Sequence, residues 1–279
     1  MLIRLYLGVR RPVGRFLRSV GLRAPLPAPV AIRRAAKPPP YSYTLPGECN
    51  FCGGTTFENK KDRIDSRCLT CGSLERTRLL WMHLNKYRLG PHHRILHLAP
   101  EEALYNVLKD RHGANYVAAD LEPENFPFAD GMVPIDLTRL DHWESAAFDI
   151  IVHSHVMEHI PCTLAYPLYH LHRMLKPKGR HVCVIPFLPG TYDECFAALP
   201  QGERMRRFGQ NDHVRRFGVE DVEQHLGKLV VLPDPYDAER EFGAETLDRA
   251  RVPPHMRHGL TTATVLDLAR GDMRLFRRP

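Results

Sequence analysis

The chain has 279 residues, 43% of them hydrophobic and 25% charged, which suits one sizeable globular domain with attachments. No apolar run approaches the roughly 18 to 20 residues of a membrane-spanning helix, so that class is set aside. The formal charge of +7 is unevenly placed: residues 1–47 hold nine Lys/Arg and no acid, leaving 30 basic against 32 acidic residues in the body. An enzyme of nucleic acids spreads basic residues over its working face, and this near-neutral body argues against one.

Residues 1–22, "MLIRLYLGVRRPVGRFLRSVGL", place Leu2, Tyr6, Val9, Val13, Leu17 and Val20 at helical spacing, with Arg4, Arg11, Arg15 and Arg18 largely off that stripe. Pro12 interrupts the pattern. A basic amphipathic segment of this kind suits peripheral contact with an anionic membrane; a disordered basic extension is the alternative. The segment lacks an uninterrupted apolar core and a small-residue cleavage site, so it does not read as a secretory signal. The expected location is cytoplasmic, with the inner membrane surface as a peripheral site. Residues 23–46 carry Pro25, Pro27, Pro29, Pro38, Pro39, Pro40 and Pro46, the composition of a semi-rigid linker.

Cys49-x-x-Cys52 and Cys68-x-x-Cys71 follow, each second cysteine preceding a glycine, Gly53 or Gly72. Four thiolates at this spacing can close a tetrahedral zinc site, and with no open ligand position the zinc would be structural. Seven cysteines, four of them in close pairs, favour a reducing compartment over a disulfide framework. Cys162, Cys183 and Cys195 show no pairing and read as packing residues. Residues 72–87, "GSLERTRLLWMHLNKY", predict a helix joining this ribbon to the main domain. The division is then a tail and linker at 1–46, a zinc ribbon at 47–72, and an α/β domain at 73–279.

From residue 94 strand and helix alternate. Strands are predicted at 94–98, 115–120, 132–137, 148–154 and 180–187, with helices at 101–111 and 163–175. Residues 229–235 and 261–269 predict two last strands at one edge. Lys176 to Gly179 predicts a turn. The pattern is that of a doubly wound, mostly parallel Rossmann-like sheet.

Ligands of such sheets bind at the carboxyl ends of the strands, around the switch point. The second strand ends in Asp120, placed to bind a ribose diol, with Leu121 beside it. The third ends in Asp136 and Leu137, and the fourth presents Ser154, His155, Glu158 and His159. The first turn, "HLAPEE", contains no glycine, although close approach of a nucleotide-type cofactor normally requires one.

The segments "FDIIVHSHVMEHI" and "LHRMLKPKG", with the rest of residues 90–190, resemble the class I S-adenosylmethionine-dependent methyltransferases of the type-11, ubiquinone-C-methyltransferase-like kind. The resemblance implies a seven-stranded sheet with an antiparallel last strand. It also implies cofactor contacts from Asp120 to the ribose hydroxyls, Asp136 and Leu137 to adenine, and Ser154 and His155 beside the methionine part. His97 stands at the family's acidic position, and Ala99, Pro100 and Glu101 cross its glycine loop. Ala99 is small, and Glu101 could replace the missing acid by pairing with the cofactor's ammonium; the alternative is that Glu101 only favours a helix N-terminus. "CGSLERTRLL", "LHLAPE" and "RRFGQNDHVRRFG" further resemble a bacterial group of zinc-ribbon-bearing type-11 methyltransferases, over residues 49–218. After residue 236 the chain departs from that group.

Methyl transfer needs an in-line nucleophile and, for oxygen or nitrogen, removal of a proton, which histidine performs near neutral pH. Residues 204–218 are expected to fold over the cofactor as a lid and acceptor wall. Within them His213 is the expected base, with Asp212 adjacent and His155 as the other candidate. Arg206, Arg207, Arg215 and Arg216 could grip an anionic acceptor. His153, His170, His172 and His181 read as structural or surface residues. The leading function is methyl transfer to O or N of a small molecule, a sugar, or an envelope-linked glycan or lipid. The competing ones are an RNA methyltransferase with a zinc module, and a zinc-ribbon binding protein with an inactive methyltransferase domain.

Overall fold

A computed structural model describes residues 41–276; the stretch 1–22 and the linker up to residue 40 lie outside them. The cysteine knuckles flank an antiparallel hairpin, β1 (Phe57–Lys60) and β2 (Arg63–Cys68), and run into helix α1 (Glu75–Asn85). There follow β3 (Ile95–Leu98), α2 (Glu102–His112), β4 (Tyr116–Asp120), β5 (Val133–Pro134), β6 (Phe148–Ser154), α3 (Ala165–Met174) and β7 (Leu175–Val184). The remaining elements are β8 (Phe187–Leu188), β9 (Asp193–Glu194), α4 (Gln201–Phe208), β10 (Arg215–Gly218), α5 (Ala238–Phe242), α6 (Ala244–Arg249) and β11 (Val265–Ala269).

The main sheet has six strands in the order β11-β7-β6-β3-β4-β5, all parallel except β11, which runs antiparallel to β7. From β3 the chain steps outward to β4 and β5, then returns to the other side of β3 as β6. The switch point therefore falls between β3 and β6. Ile95–Leu98 and Ile150–Val152 are continuous apolar or buried runs because both faces of the sheet are covered. On one face Leu168, Leu171 and Met174 of α3 pack on Leu96, Leu98, Ile151 and Cys183. On the other, Leu79, Leu80 and Leu84 of α1 and Leu104 and Leu108 of α2 pack on Ile95, Ile150, Val152 and Val182.

Three expectations need correction. The sheet has six strands rather than seven, because residues 229–235 make only a single bridge, Val230 to Met273. Pro233 and Pro235 lie in that stretch and offer no N–H to a ladder. The strand expected at 132–137 pairs only over Val133–Pro134, since Asp136 closes a turn on the Thr138 N–H. Residues 176–179 form a bulge inside β7, with Leu175 opposite Phe148 and Arg180 opposite Ile150.

Three buried imidazoles sit within the sheet. Burial, with His153 nearby, holds His97 down to about 3. Burial holds His153 down to about 4 against the opposing pull of Glu158, and it depresses His181 well below the usual range. An unfolded imidazole titrates near 6.5. Above that pH both states are neutral at these sites; as the pH falls from about 6.5 towards 4, only the unfolded chain takes up the protons, and stability is lost. The unfolding free energy at pH 5 is expected to lie below that at pH 7 by about 2 kcal/mol for each of these imidazoles. Chemical denaturation at the two pH values checks this, and equal free energies contradict it.

Candidate functional site

The turn after β3 answers the question posed by its missing glycine. Ala99 adopts a left-handed backbone, φ 46°, the conformation for which glycine is normally required. Its N–H donates to the Ala119 carbonyl at 3.0 Å, tying the turn to the end of β4. Glu101 then precedes the first turn of α2, whose Tyr105 N–H donates back to its carbonyl. The turn keeps a glycine-like path with one methyl group added.

A cleft of about 70 Å³ opens at these strand ends. Ala99, Asp120, Leu121, Ile135 and Leu137 line it together with Val156 and Ile160 from the turn after β6. Asp120 is half-buried; burial and the nearby Glu122 and Glu124 raise its carboxyl, while N–H groups of the Glu122 and Leu121 backbone oppose them. One of its oxygens accepts the Glu122 N–H at 2.9 Å. Asp136 is not part of the lining: its Oδ1 accepts the Thr138 N–H and hydroxyl at 2.8 and 2.7 Å. His97 does not reach the cleft either. It is fully buried within β3, and its Nδ1 lies 2.8 Å from the Tyr116 hydroxyl.

Near the same strand ends Arg76 of α1, unremarked in the sequence, joins two of the expected residues. Its Nη2 pairs with Glu101 Oε1 at 2.9 Å, and its Nε donates to Ser154 Oγ at 3.3 Å. Glu101 Oε2 is buried and accepts no hydrogen bond. Arg76 lies inside "CGSLERTRLL", so the motif was visible, but nothing in it shows that the helix turns this guanidinium towards the strand ends.

A second cavity, about 230 Å³, shares the turn after β6. His155 and Glu158 face it, along with Phe208, His213, Arg215 and Arg216 from the segment expected to form a wall. His155 also has a left-handed backbone, φ 56°, and its Nε2 lies 3.0 Å from the Thr262 carbonyl. The wall is fastened by the Val214 N–H, which donates to the Glu158 carbonyl at 2.9 Å, and this sets His213 beside Glu158. Gly218 closes β10: a β-carbon there would lie 2.2 Å from the Gly190 carbonyl oxygen. Asp212 stands outside the cavity lining, 60% exposed, with Oδ2 3.4 Å from His159 Nδ1.

The arginines divide sharply. Arg207 is bound by Asp193 at 2.9 and 2.6 Å, and Arg206 lies at the surface near Glu203. Arg215 is spent on the Met157 and Cys162 carbonyls. Arg216 is 2% exposed, and its Nε and Nη1 have no hydrogen-bond partner. Burial pushes the Glu158 carboxyl up, but His155 and His159 outweigh it and hold the group below the usual carboxylate range. His213 is lowered by burial, partly offset by Glu158.

The four knuckle cysteines converge. Cys49 Sγ lies 3.6 Å from Cys71 Sγ, and Cys52 Sγ 3.7 Å from Cys68 Sγ. A tetrahedral ion with metal–sulfur bonds of about 2.3 Å sets sulfur–sulfur edges of roughly 3.7 Å, so the donor set fits zinc. The two knuckles match: Gly53 N–H donates to Cys49 O at 2.8 Å and Gly72 N–H to Cys68 O at 2.9 Å, both glycines having positive φ. A third cavity, of about 500 Å³, lies at the free edge of β11, where residues 231–236 fail to pair.

The family described as methyltransferase domain matches residues 99–183, the span from the left-handed turn to the end of β7. No curated protein matches the sequence. Among solved structures, the trans-methyltransferase CalH in complex with SAH is 22% identical, with 41% of this chain covering 37% of that one at a TM-score of 0.30. An S-adenosylmethionine-dependent methyltransferase from Mesorhizobium loti is 20% identical (43% and 60% covered, TM-score 0.34). The 1,6-didemethyltoxoflavin-N1-methyltransferase of Burkholderia thailandensis is 12% identical (54% and 64% covered, TM-score 0.39). The chain thus spans less than two thirds of each of these proteins. The family match ties residues 99–183 to a methyltransferase domain, and the strand order and the cleft at the switch point suit such a domain.

Proposed function

We propose that the chain transfers a methyl group from S-adenosylmethionine to an oxygen or nitrogen of a small acceptor bearing an acidic group, drawn from small molecules, sugars or envelope-linked glycans and lipids. The observation that carries this reading is Arg216: a guanidinium 2% exposed, with two nitrogens unpartnered, lining a recessed cavity beside the cofactor cleft. An unpaired buried cation is costly, and an anion entering the cavity would offset that cost with charge-assisted hydrogen bonds. The finer resemblance, to zinc-ribbon-bearing type-11 methyltransferases, belongs to the same reading.

The cofactor, when bound, supplies an electrophilic methyl group on a sulfonium. In this reading Asp120 binds the ribose hydroxyls, while Ile135 and Leu137 form the apolar slot for adenine. Glu101 faces the methionyl ammonium through its unpartnered oxygen, and Arg76 faces the carboxylate. The Arg76–Glu101 pair is thus a ready-made complement to an amino-acid zwitterion. His155 stands between cleft and cavity, and a proton leaving the acceptor departs beside His213, Glu158 and His159. Cys49, Cys52, Cys68 and Cys71 hold a structural zinc.

Three outcomes are expected. Calorimetry should detect binding of S-adenosylmethionine and of its demethylated product, and Asp120→Ala and Arg76→Ala should each weaken it at least about tenfold, roughly 1.4 kcal/mol. Absence of binding by the intact protein overturns the cofactor assignment, and an unaltered affinity in Glu101→Gln removes that residue from it. With an acceptor in hand, His213→Ala should lower turnover by roughly 10² to 10⁴ while leaving cofactor affinity intact; near-normal turnover excludes His213. Elemental analysis should find one zinc at the thiolate site, lost in Cys68→Ser, and four freely titratable thiols in the purified protein would rule the site out.

A further inference from the structure

The turn after β6 and the wall segment bring together more metal-ligating chemistry than proton transfer requires. One ligand atom each from Glu158, His159 and His213 lies within 4.8 Å of the others. The two imidazoles stack edge to face with centroids 4.6 Å apart. Glu158 is 1% exposed, and neither of its carboxylate oxygens accepts a hydrogen bond.

The outward nitrogens of these rings are already committed. His213 Nδ1 lies 3.2 Å from the Phe208 carbonyl, and His159 Nδ1 lies 3.4 Å from the Asp212 carboxylate. A carbonyl can only accept, so the His213 ring carries a proton on Nδ1 and its Nε2 is the atom turned inward. His213 Nε2 is buried and has no partner. His155 repeats the pattern with its nitrogens exchanged: Nε2 is engaged by Thr262 O at 3.0 Å, and Nδ1 faces Glu158 Oε1 at 3.4 Å. Three imidazoles thus surround a buried carboxylate that accepts no hydrogen bond. Metal-binding histidines characteristically donate their second nitrogen to a carboxylate or a backbone carbonyl, as His213 does to Phe208, and the Asp212 carboxylate lies 3.4 Å behind His159.

We infer that Glu158, His159 and His213 form a binding site for a divalent first-row transition ion at the wall of the acceptor cavity, with His155 alongside and Asp212 as the orienting carboxylate behind His159. Two imidazoles and one carboxylate leave coordination positions open, and oxygen donors of an acceptor can fill them. A hydroxyl bound there becomes more acidic, while Arg216 takes up the acceptor's anionic group. This deepens the reading of the cavity as the acceptor site and rests on it for the ion's role, though not for its binding. It also recasts His213, which would then act by holding the ion.

The test titrates the full-length, zinc-loaded protein with Co²⁺, following heat and visible absorption. Cobalt on nitrogen and oxygen donors gives weak visible bands without the near-ultraviolet thiolate charge transfer that marks the cysteine site. One equivalent of Co²⁺ is expected to bind with the former signature. Glu158→Gln and His159→Ala should each abolish that binding, and Asp212→Asn should weaken it by roughly ten- to a hundredfold. His159 is one-third exposed, so its variant keeps the test sound if Glu158→Gln fails to fold. No binding beyond the thiolate site, or binding that survives both ligand variants, overturns the inference. Calorimetry with S-adenosylmethionine separates the two readings: cobalt bound without cofactor binding sinks the proposed function alone, and cofactor bound without cobalt sinks only the metal site.

Discussion

The structure hangs on one guanidinium without a carboxylate partner. Arg78 is 0% exposed, and all five of its N–H groups are used. They reach the Ser73 carbonyl and hydroxyl at 2.5 and 3.3 Å, the Ser66 carbonyl at 3.0 Å, and the Ala250 and Arg251 carbonyls at 2.5 and 3.4 Å. Burial alone costs a charge several kcal/mol, and burial indeed lowers this group's pKa. Hydrogen bonds to a charged donor contribute roughly 1.5 to 3 kcal/mol each, so the full set offsets that cost while a partial set would not. The position therefore demands that the cysteine hairpin, α1 and the 250–251 turn be in place together. A lysine, with a compact ammonium, could not span acceptors in this fork.

That demand reaches the ends of the sheet strands through the helix itself. Arg76 lies two residues before Arg78, roughly 200° around α1, so one guanidinium grips the hairpin while the other points to Glu101 and Ser154. Ser73 touches both systems, its hydroxyl lying 3.3 Å from Cys49 Sγ and 3.2 Å from Cys71 Sγ as well as near Arg78. The knuckles are thus continuous with the methyltransferase domain. The sulfurs, Ser73 and α1 with its two guanidiniums therefore form one connected set of contacts.

What could be read from the sequence followed from short-range rules. The apolar runs at 95–98 and 148–154 and the leucine spacing of α3 announce a parallel sheet, because period and burial are local properties. That Asp120 reaches the cleft at the strand ends followed for a related reason: a residue at the end of a strand goes where the strand goes. Asp136 was misplaced because a local turn on Thr138 competes for its carboxylate, and His97 because strand alternation sends its ring into the core. Arg76, the freedom of Arg216 and the convergence of Glu158 with His159 and His213 were out of reach. Each depends on contacts between segments about 25 to 80 residues apart, such as Val214 on the Glu158 carbonyl.

The two left-handed non-glycine residues beside the switch point, Ala99 and His155, show how the site tolerates strain. Such backbones cost roughly 1 to 3 kcal/mol and persist only where their surroundings hold them. Ala99 is held by its hydrogen bond to Ala119, and a methyl group is the smallest addition the turn can carry. The usual reason for glycine there, a pyrophosphate pressed against backbone N–H groups, does not arise with a cofactor that has none. At His155 a glycine would relieve the strain but remove the ring. The His155 N–H donates to the Val184 carbonyl at 3.0 Å, and its imidazole is pinned between Thr262 and Glu158. One strained position thus preserves the path of the chain and the other the direction of a side chain, and together they stand between the cleft at the strand ends and the second cavity.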